Sequence, residues 1–513
     1  MKVLLFDPPM QTIMLARADW YPMSLSYLAG SLIEEGHDVL IYNGEHDPTL
    51  DYVNLTTYSS NYHLYIEALN DPKHLVWGRI RDVLINYKPD VVGITSFSVK
   101  YPSAKRIAAL AKDYNNKMPV IMGGQHATIM TDQVLANDNI DFVAKGEGEE
   151  TIIDFLYEFK NDQNWEKVFG LSYKNRKIYH NAPRALKQII DDLPFPDRSR
   201  LYDVENYESH ALAKLFASRG CPYQCNYCGT QNIWTYKFRS HGAERIVEEI
   251  KRVKNEFGST TFTFFDDVFA LDKKYTETIL DEIIKEDLGI KWDCLTRANL
   301  VSDELLVKMK KAGCTKIDMG VESGSPKVLK STKKGVTVEQ IKDGAALVQK
   351  HGLFLYCFFM IGLPYEDEED VELTKDFLLK LRPDWAGISI FTPIPGTGIW
   401  RELQEQGKIP ENPDYAKFSH QSPHSNFAFN MENKEAFPKL AQDMIEFVQE
   451  YNGQYRHLFK RAMTRGYLKN PGLLISDFKK VLAWKGLLKL SHQGSHSKFY
   501  SEKGDPVSTG MNI

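Results

Sequence analysis

The chain has 513 residues, of which 43% are hydrophobic, and its formal net charge is -5. A length of this order predicts roughly two to four domains, and a slightly acidic balance gives no reason to expect a nucleic-acid partner. The longest apolar run, residues 353–364, is much shorter than the roughly 20 residues that cross a bilayer, so no transmembrane segment is expected.

The first 150 residues alternate short apolar runs with segments of helical periodicity. Residues 2–7 form an apolar run that ends at two prolines, and residues 21–35 carry apolar side chains at helical spacing. The later segments are strand-like runs at residues 37–42, 89–96, 119–124 and 141–146, and a helix at residues 104–114. This alternation predicts an α/β domain over residues 1–150, built on a doubly wound parallel sheet.

Ligands of such sheets bind beyond the carboxyl ends of the strands. The residues that follow these ends include Pro8, Ser96, Gly123, Gly124, His126 and Glu147. No Gly-x-Gly-x-x-Gly motif follows the first strand, so a dinucleotide is set aside. Two interpretations of His126 stay open, a turn histidine satisfied by the backbone or a residue of a ligand edge. A sheet that binds no ligand also stays open.

Residues 151–212 are interpreted as a linker. They contain a polar, hairpin-like stretch at residues 171–179 and a proline-bearing segment at residues 192–197. Prolines enforce extended backbone and stop helices, which suits a strap between two domains.

A second alternating pattern runs over residues 213–400. The end of a strand is expected at residues 216–218, followed by strands at 261–265, 291–296, 316–321, 354–361 and 387–391. Helices are expected between them at residues 244–257, 274–286, 303–312, 338–351 and 367–381, and the acidic run 366–370 is interpreted as a helix N-terminus. Six strand and helix units predict a partial (β/α)6 barrel, with its chemistry at the carboxyl ends of the strands.

Three cysteines, Cys221, Cys225 and Cys228, lie within eight residues just after the first of these strands. A [4Fe-4S] cluster with three thiolate ligands leaves one iron open for a small molecule. Structural zinc needs four ligands and is the weaker interpretation. Six cysteines in 513 residues, with no recognisable signal peptide, favour a reducing compartment, and we expect a cytoplasmic protein. The other cysteines are interpreted as small buried side chains: Cys294, Cys314 and Cys357.

Beyond residue 400 the pattern changes. Residues 401–492 are expected to be helical, and residues 493–513 to form a disordered tail. Residues 451–500 hold ten Lys or Arg against one acid, Asp477. Residues 478–490 therefore suit either a peripheral helix on a membrane surface or a helix packed on the barrel with its lysines turned to solvent.

The order of these segments resembles the cobalamin-binding branch of the radical SAM superfamily, over about the first 400 residues. That branch contains anaerobic magnesium-protoporphyrin ester cyclases and hopanoid and phosphonate methylases. The Cys-x3-Cys-x2-Cys motif is the most specific part of the resemblance. The resemblance implies a [4Fe-4S] cluster on the three cysteines, S-adenosylmethionine (SAM) on the open iron, and cobalamin on the first domain.

The resemblance also implies roles for single residues. The implied SAM contacts are Tyr227, Met360 and Gly362 at the adenine, Asp266 and Asp267 at the methionine amino group, Arg297 at its carboxylate, and Glu322 with Ser323 at the ribose. The implied cobalamin contacts are Pro8, Ser96, Gly123, Gly124, His126 and Glu147. No histidine ligand to cobalt is expected, because the Asp-x-His-x-x-Gly motif is absent. Each acid or arginine also has a structural alternative, as a helix cap or an ion pair.

The activity that the resemblance implies is reductive cleavage of SAM to a 5′-deoxyadenosyl radical, used to methylate an unactivated carbon of a small molecule. It implies an external one-electron donor such as flavodoxin or ferredoxin. An oxidative cyclase or rearrangement enzyme is the second candidate. An iron-sulfur electron carrier is the candidate outside enzymes, and the SAM-like segments after the cysteines argue against it. A lipid or tetrapyrrole substrate would suit a membrane-surface helix.

Overall fold

The computed structural model describes residues 1–53, 55–419 and 437–454. The chain divides into one compact unit over residues 1–448 and a second unit from residue 449 onward. In the described part of the chain, none of the helices combines the length and the apolar character needed to cross a membrane. The basic segment 478–490 and the tail 493–513 lie outside the described residues.

The first domain is built on a seven-stranded sheet. Its elements are β1 (Lys2–Asp7), α1 (Met23–Glu34), β2 (Asp38–Asn43), α2 (Leu55–Asn70), α3 (Leu75–Tyr87), β3 (Val91–Thr95), α4 (Tyr101–Tyr114), β4 (Val120–Gly123), α5 (Gly124–Ile129), α6 (Thr131–Leu135), β5 (Phe142–Ala144), α7 (Glu149–Lys160), β6 (Leu171–Asn175) and β7 (Lys177–His180). The strand order is β2-β1-β3-β4-β5-β6-β7, and β1 to β5 run parallel. The order reverses at β1, which opens a crevice at the carboxyl ends of β1 and β3.

Helices cover both faces of this sheet. Leu4 of β1 packs on one face in a core that includes Ile107 of α4. Its neighbours Val3 and Leu5 point to the opposite face and pack in a core that includes Leu32 of α1. A strand buried on both faces is apolar, which is why residues 3–6 of β1 form an unbroken apolar run. The doubly wound prediction is confirmed.

The stretch predicted as the start of the linker belongs to the sheet instead. Strand β6 pairs antiparallel with β5, and β7 pairs antiparallel with β6. Leu171 and Tyr173 are buried, whereas Lys174 and Lys177 face solvent. An edge hairpin with one solvated face carries a polar sequence, so it looks like a loop. The strap between the domains therefore begins after β7.

The second domain is a six-stranded parallel sheet with helices on its outer side. Its elements are β8 (Lys214–Leu215), β9 (Ser218–Arg219), α8 (Gln231–Trp234), β10 (Arg239–Ser240), α9 (Ala243–Phe257), β11 (Thr261–Phe264), α10 (Lys273–Lys285), β12 (Lys291–Thr296), α11 (Asp303–Lys311), β13 (Cys314–Glu322), α12 (Pro326–Ser331), α13 (Val338–Lys350), β14 (Phe354–Ile361), α14 (Glu368–Leu381) and β15 (Trp385–Ile390). Helices α15 (Gly398–Glu405) and α16 (Phe437–Asn452) follow. The strand order is β15-β14-β13-β12-β11-β8, the predicted partial barrel.

The first barrel strand differs from the prediction. Residues 214–215 form it, as β8, whereas Ser218 and Arg219 form β9, which pairs antiparallel with β10. We call β9 and β10 the ribbon. The ribbon frames the segment that carries the three clustered cysteines. The remaining cysteines, Cys294, Cys314 and Cys357, are buried free thiols, as expected.

Candidate active site

The three clustered cysteines lie in residues 220–229, between β9 and α8, which we call the cysteine loop. All three are free thiols; Cys225 is buried, and Cys221 and Cys228 are partly exposed. Burial raises the pKa of Cys221 to about 11 and also raises the pKa of Cys228. Because iron binds the thiolate form, metal binding must displace these protons.

The cysteine loop offers three ligands rather than a closed site. Over residues 1–53, 55–419 and 437–454, no three His, Cys, Asp or Glu side chains surround one point closely enough to hold a single metal ion. An iron-sulfur cluster binds each thiolate to a different iron, so it needs no such common point. Three free thiols in one partly buried loop fit a cluster with one open iron.

Two aspartates after β11 hold the cysteine loop and the ribbon. Asp267 accepts hydrogen bonds from Thr230 Oγ1, at 2.8 Å, and from the backbone N–H of Gly220, so it joins both ends of the cysteine loop. Asp266 accepts a hydrogen bond from the hydroxyl of Ser218 in β9. Burial raises the pKa of Asp266 to about 7 and raises that of Asp267. The structure therefore directs both carboxyl groups at the loop and its ribbon.

Strand β13 ends in a distorted turn at Glu322. Its φ is 67°, a conformation that is strained for a residue with a Cβ, and the register with β14 shifts between Gly320 and Glu322. Glu322 Oε1 accepts hydrogen bonds from Lys334 Nζ at 2.7 Å and from Tyr227 OH at 3.3 Å. Gly320 lies under this ion pair, because a Cβ built on it would be 2.6 Å from Glu322 Oε1 and 3.0 Å from Lys334 Nζ. The turn thus brings a carboxylate against the cysteine loop.

Arg297, which follows β12, also contacts the cysteine loop. Its guanidinium carbon lies 3.7 Å from the ring centroid of Tyr223, and its Nη1 lies 3.8 Å from Cys225 Sγ. Its Nη2 donates to the carbonyl oxygen of Lys334. Arg297 thus packs its guanidinium directly against the cysteine loop.

The turn after β14 is held by a buried carboxyl group. Gly362 has a φ of 84°, and its N–H and that of Leu363 donate to Glu366 Oε2. Glu366 is 2% exposed, and burial raises its pKa to about 8. Met360, two residues before Gly362, is partly exposed on the inner side of the strand. Glu366 thus shapes the turn that carries the predicted adenine contacts.

This buried carboxyl group predicts a pH dependence of stability. The folded chain holds the proton of Glu366 up to a pH of about 8, above the ordinary value of 4.5. Its contribution to stability is therefore present below pH 4.5 and is lost as the pH rises to 8. We expect the stability of the wild type, relative to Glu366→Gln, to fall between pH 5 and pH 8, on the order of a few kcal/mol. Urea denaturation midpoints of the two proteins across this pH range measure the difference in stability. A difference that does not change with pH would contradict the prediction.

One predicted SAM contact, Ser323, does not lie among the residues around the cysteine loop. The Oγ of Ser323 is 3.1 Å from Thr374 Oγ1 in α14, and it accepts a hydrogen bond from the backbone N–H of Ser325. Ser323 is fully buried. Its hydroxyl therefore ties the end of β13 to α14. Tyr227, Arg297 and Glu322 are brought together around the cysteine loop.

Four of the predicted cobalamin contacts lie at the carboxyl edge of the first sheet. Pro8 follows β1, Ser96 follows β3, and Gly123 and Gly124 end β4. Gly124 has a φ of 88°, and a Cβ there would lie 2.8 Å from Thr95 Oγ1, so the turn is pressed against the end of β3. These residues come together because β1, β3 and β4 are neighbours in the sheet. We call this line of strand ends the corrin edge, after the ligand predicted there.

Two further predicted contacts, His126 and Glu147, have partners elsewhere in the structure. His126 is 1% exposed, with its ring 4.3 Å from that of Tyr101 and 4.5 Å from that of Tyr415. Its Nδ1 lies 3.0 Å from Ser98 Oγ, and burial lowers its pKa to about 3. His126 is therefore a packed histidine with a side-chain partner rather than the backbone partner expected for a turn. Glu147 is paired with arginines of the ribbon.

Several residues of the site carry no signal in the sequence. Lys334, Thr230 and the ribbon arginines belong to no spaced motif, and Glu366 belongs to the acidic run interpreted as a helix N-terminus. Their roles come from hydrogen bonds that the fold creates. For Arg219 and Arg239 the only local hint is position, on either side of the cysteine loop.

Family models match segments of both domains. The model of the B12 binding domain matches residues 13–156, and that of the radical SAM superfamily matches residues 215–378. An uncharacterised methyltransferase of Pyrococcus horikoshii is 32% identical over 406 residues, which cover 78% of this chain and 82% of the relative. The anaerobic magnesium-protoporphyrin IX monomethyl ester cyclase of Rubrivivax gelatinosus is 25% identical over 496 residues, 94% of this chain and 80% of the relative.

A solved structure shares the fold of both domains. The radical S-adenosylmethionine methyltransferase TsrM of Kitasatospora setae superimposes with a TM-score of 0.66 at 17% identity, covering 88% of this chain and 90% of that protein. A likeness at this identity concerns the fold. Together with the two family models and the relative at 32% identity, it establishes that this chain belongs to the radical SAM superfamily, in its cobalamin-binding branch.

Proposed function

We propose that this radical SAM enzyme, whose cofactors are a [4Fe-4S] cluster, SAM and cobalamin, transfers a methyl group to an unactivated carbon of a small-molecule substrate. The observation that carries the proposal is the pairing of a B12 binding domain with a barrel whose cysteine loop lies at the strand ends. The relative at 32% identity is named a methyltransferase, which supports the proposal.

We assign the cluster to Cys221, Cys225 and Cys228. When bound, the cluster and cobalamin supply, respectively, the electron that cleaves SAM to a 5′-deoxyadenosyl radical and the methyl group that is transferred. Arg297 places a positive charge beside Cys225, and Asp267 joins the two ends of the loop. The protein thus orients the ligands before metal binds.

We assign SAM to the group of residues around Glu322. The carboxylate of Glu322 is an acceptor suited to ribose hydroxyls, and Lys334 and Tyr227 fix its orientation. Met360 and the backbone of Gly362 supply an apolar surface for an adenine ring.

Removing the hydroxyl of Tyr227 tests this assignment. Tyr227→Phe deletes a hydrogen bond to Glu322 Oε1, which is worth about 1 kcal/mol. We expect an increase of roughly fivefold in the SAM concentration that half-saturates cleavage, with an unchanged iron content. Tyr157→Phe, at an exposed tyrosine of α7, is the matched control. An unchanged half-saturation would contradict the role of Tyr227.

The function is tested with anaerobically purified protein that carries its reconstituted cluster and a bound corrinoid. Dithionite and SAM carrying a labelled methyl group are added, and 5′-deoxyadenosine and label in the extracted corrinoid are measured. Both are expected. Absence of 5′-deoxyadenosine in every preparation would overturn the assignment to radical chemistry and favour an electron carrier.

The second candidate remains an oxidative cyclase. The cyclase of Rubrivivax gelatinosus aligns with 94% of this chain, a larger share than the methyltransferase of Pyrococcus horikoshii covers. A preparation that forms 5′-deoxyadenosine but leaves the corrinoid unlabelled would favour this candidate over methylation. The proposed partners are a small-molecule substrate and an external one-electron donor such as flavodoxin or ferredoxin.

A further inference from the structure

A buried ion-pair network connects the first domain to the ribbon and the cysteine loop. Glu147, just after β5, accepts hydrogen bonds from both terminal nitrogens of Arg239, each at 2.9 Å. Its Oε1 also accepts from Arg219 Nη1 at 3.0 Å and from Trp234 Nε1 at 3.1 Å. Arg219 lies in β9, Trp234 in α8 and Arg239 in β10. One carboxylate therefore binds every element that frames the cysteine loop.

The charges in this network are balanced and nearly withdrawn from water. Arg219 also pairs with Glu149, at 2.7 Å, so two glutamates face two arginines. The side chains of Arg219 and Arg239 are 6% and 4% exposed, and that of Glu147 is 12% exposed. Burial alone would raise the pKa of Glu147, but Arg239 and Arg219 outweigh it and hold the pKa below its ordinary value. Glu147 therefore stays ionised, and its pairs are hard to replace with water.

A second contact reaches the other end of the cysteine loop. Gly229, directly after Cys228, lies against the side chain of Gln125, because a Cβ built on Gly229 would overlap the amide group of Gln125. Gln125 belongs to the turn after β4, next to Gly124 at the corrin edge. The first domain thus contacts both flanks of the cysteine loop. Glu147 and Glu149 bind Arg219, just before the loop, and Gln125 contacts Gly229 at its end.

We infer that Glu147 is a positioning residue that sets the place of the cysteine loop relative to the corrin edge. The carboxylate accepts hydrogen bonds from Arg219, Trp234 and Arg239. It fixes the ribbon and α8 against the strand ends of the first domain, and so fixes the separation between the cluster and the corrin. This inference rests on the proposed function only in taking the two cofactors as the occupants of these places.

The positioning role is tested first in the apoprotein, where no cofactor is needed. Glu147→Gln keeps the shape of the side chain and removes the charge, so Arg239 loses its carboxylate partner and keeps its hydrogen bond to the carbonyl oxygen of Lys187. Hydrogen exchange measured by mass spectrometry is expected to accelerate roughly tenfold or more in the ribbon, with unchanged exchange in β11 and β12. Glu158→Gln, a buried glutamate of α7 whose partner is the backbone N–H of Asn164, is the matched control.

A conservative variant separates position from charge removal. Glu147→Asp keeps the charge and shortens the side chain by one methylene, so ribbon exchange is expected between that of the wild type and that of Glu147→Gln. Ribbon exchange in Glu147→Gln equal to that of the wild type would overturn the inference. Faster exchange over the whole chain would overturn it too, because it would show a role in global stability alone.

The loaded protein gives a second readout. Pulsed electron paramagnetic resonance between the reduced cluster and cob(II)alamin measures the separation directly, and Glu147→Gln is expected to broaden its distribution while iron and corrinoid contents stay at the wild-type level. The yield of methylated corrinoid per 5′-deoxyadenosine is expected to fall in the same variant. An unchanged distribution would overturn the inference. If no corrin binds at all, the proposed function fails, and the apoprotein experiment still decides the role of Glu147.

Discussion

Replacing Cys225 with alanine is expected to abolish cluster assembly and reductive cleavage of SAM. Cys225 is the buried member of the three cysteines and has Arg297 Nη1 3.8 Å from its sulfur. With two thiolates left, a cubane loses the protein ligand of one iron, and cluster affinity should fall by more than about 100-fold. Iron and sulfide content, and 5′-deoxyadenosine formed with dithionite, are the measurements.

The control for this result is a cysteine outside the loop. Cys314 is buried at the start of β13 and belongs to no cluster of ligands, so Cys314→Ala should keep iron content and SAM cleavage close to the wild-type values. Full iron content in Cys225→Ala would contradict the assignment of the cluster. Loss of iron in both variants would show that the assay reports folding rather than ligation.

The second large effect is expected at Lys334. Its ammonium group lies 2.7 Å from Glu322 Oε1, and the two side chains are 6% and 11% exposed. Lys334→Met leaves the carboxylate buried without its cation, which should lower the free energy of unfolding by about 3 kcal/mol. Glu322→Gln combined with Lys334→Met removes both charges and should recover most of that loss. Urea denaturation of the apoprotein, followed by circular dichroism, measures all three proteins.

An exposed lysine supplies the comparison. Lys342 pairs with Glu339 at 3.4 Å, and both side chains are mostly exposed. Lys342→Met should change the free energy of unfolding by less than about 0.5 kcal/mol, since solvent screens such pairs. Equal losses in the Lys334 and Lys342 variants would show that burial of the first pair has no energetic consequence, contrary to the structure.

Strands with continuous apolar runs could be predicted from the sequence, because burial in a parallel sheet favours apolar residues. Residues 3–6 and 354–361 are such runs, and both form strands in the structure. The edge hairpin of β6 and β7 was missed as part of the sheet because its polar face hides the strand pattern. Helices α2 and α3 were not predicted either.

In the acidic run 366–370, after β14, some acids cap the following helix and one does not. Asp367 caps α14, and its side chain and that of Asp370 each accept the backbone N–H of the other, as the interpretation of a helix N-terminus predicts. Glu366, the first acid of the run, instead turns back to the N–H groups of Gly362 and Leu363. Neighbouring acids thus have different roles, and only the fold of the turn distinguishes them.

The kind of chemistry can be recognised from the sequence alone, because three cysteines in eight residues are a local pattern that needs no knowledge of the fold. It also indicated both sheets, through apolar runs that encode burial. Only the tertiary structure decided which charged groups pair. Glu147 and Arg239 are 92 residues apart in the chain, and Glu322 and Lys334 meet across a distorted strand end. Such contacts depend on which strand ends become neighbours, and no local spacing records that.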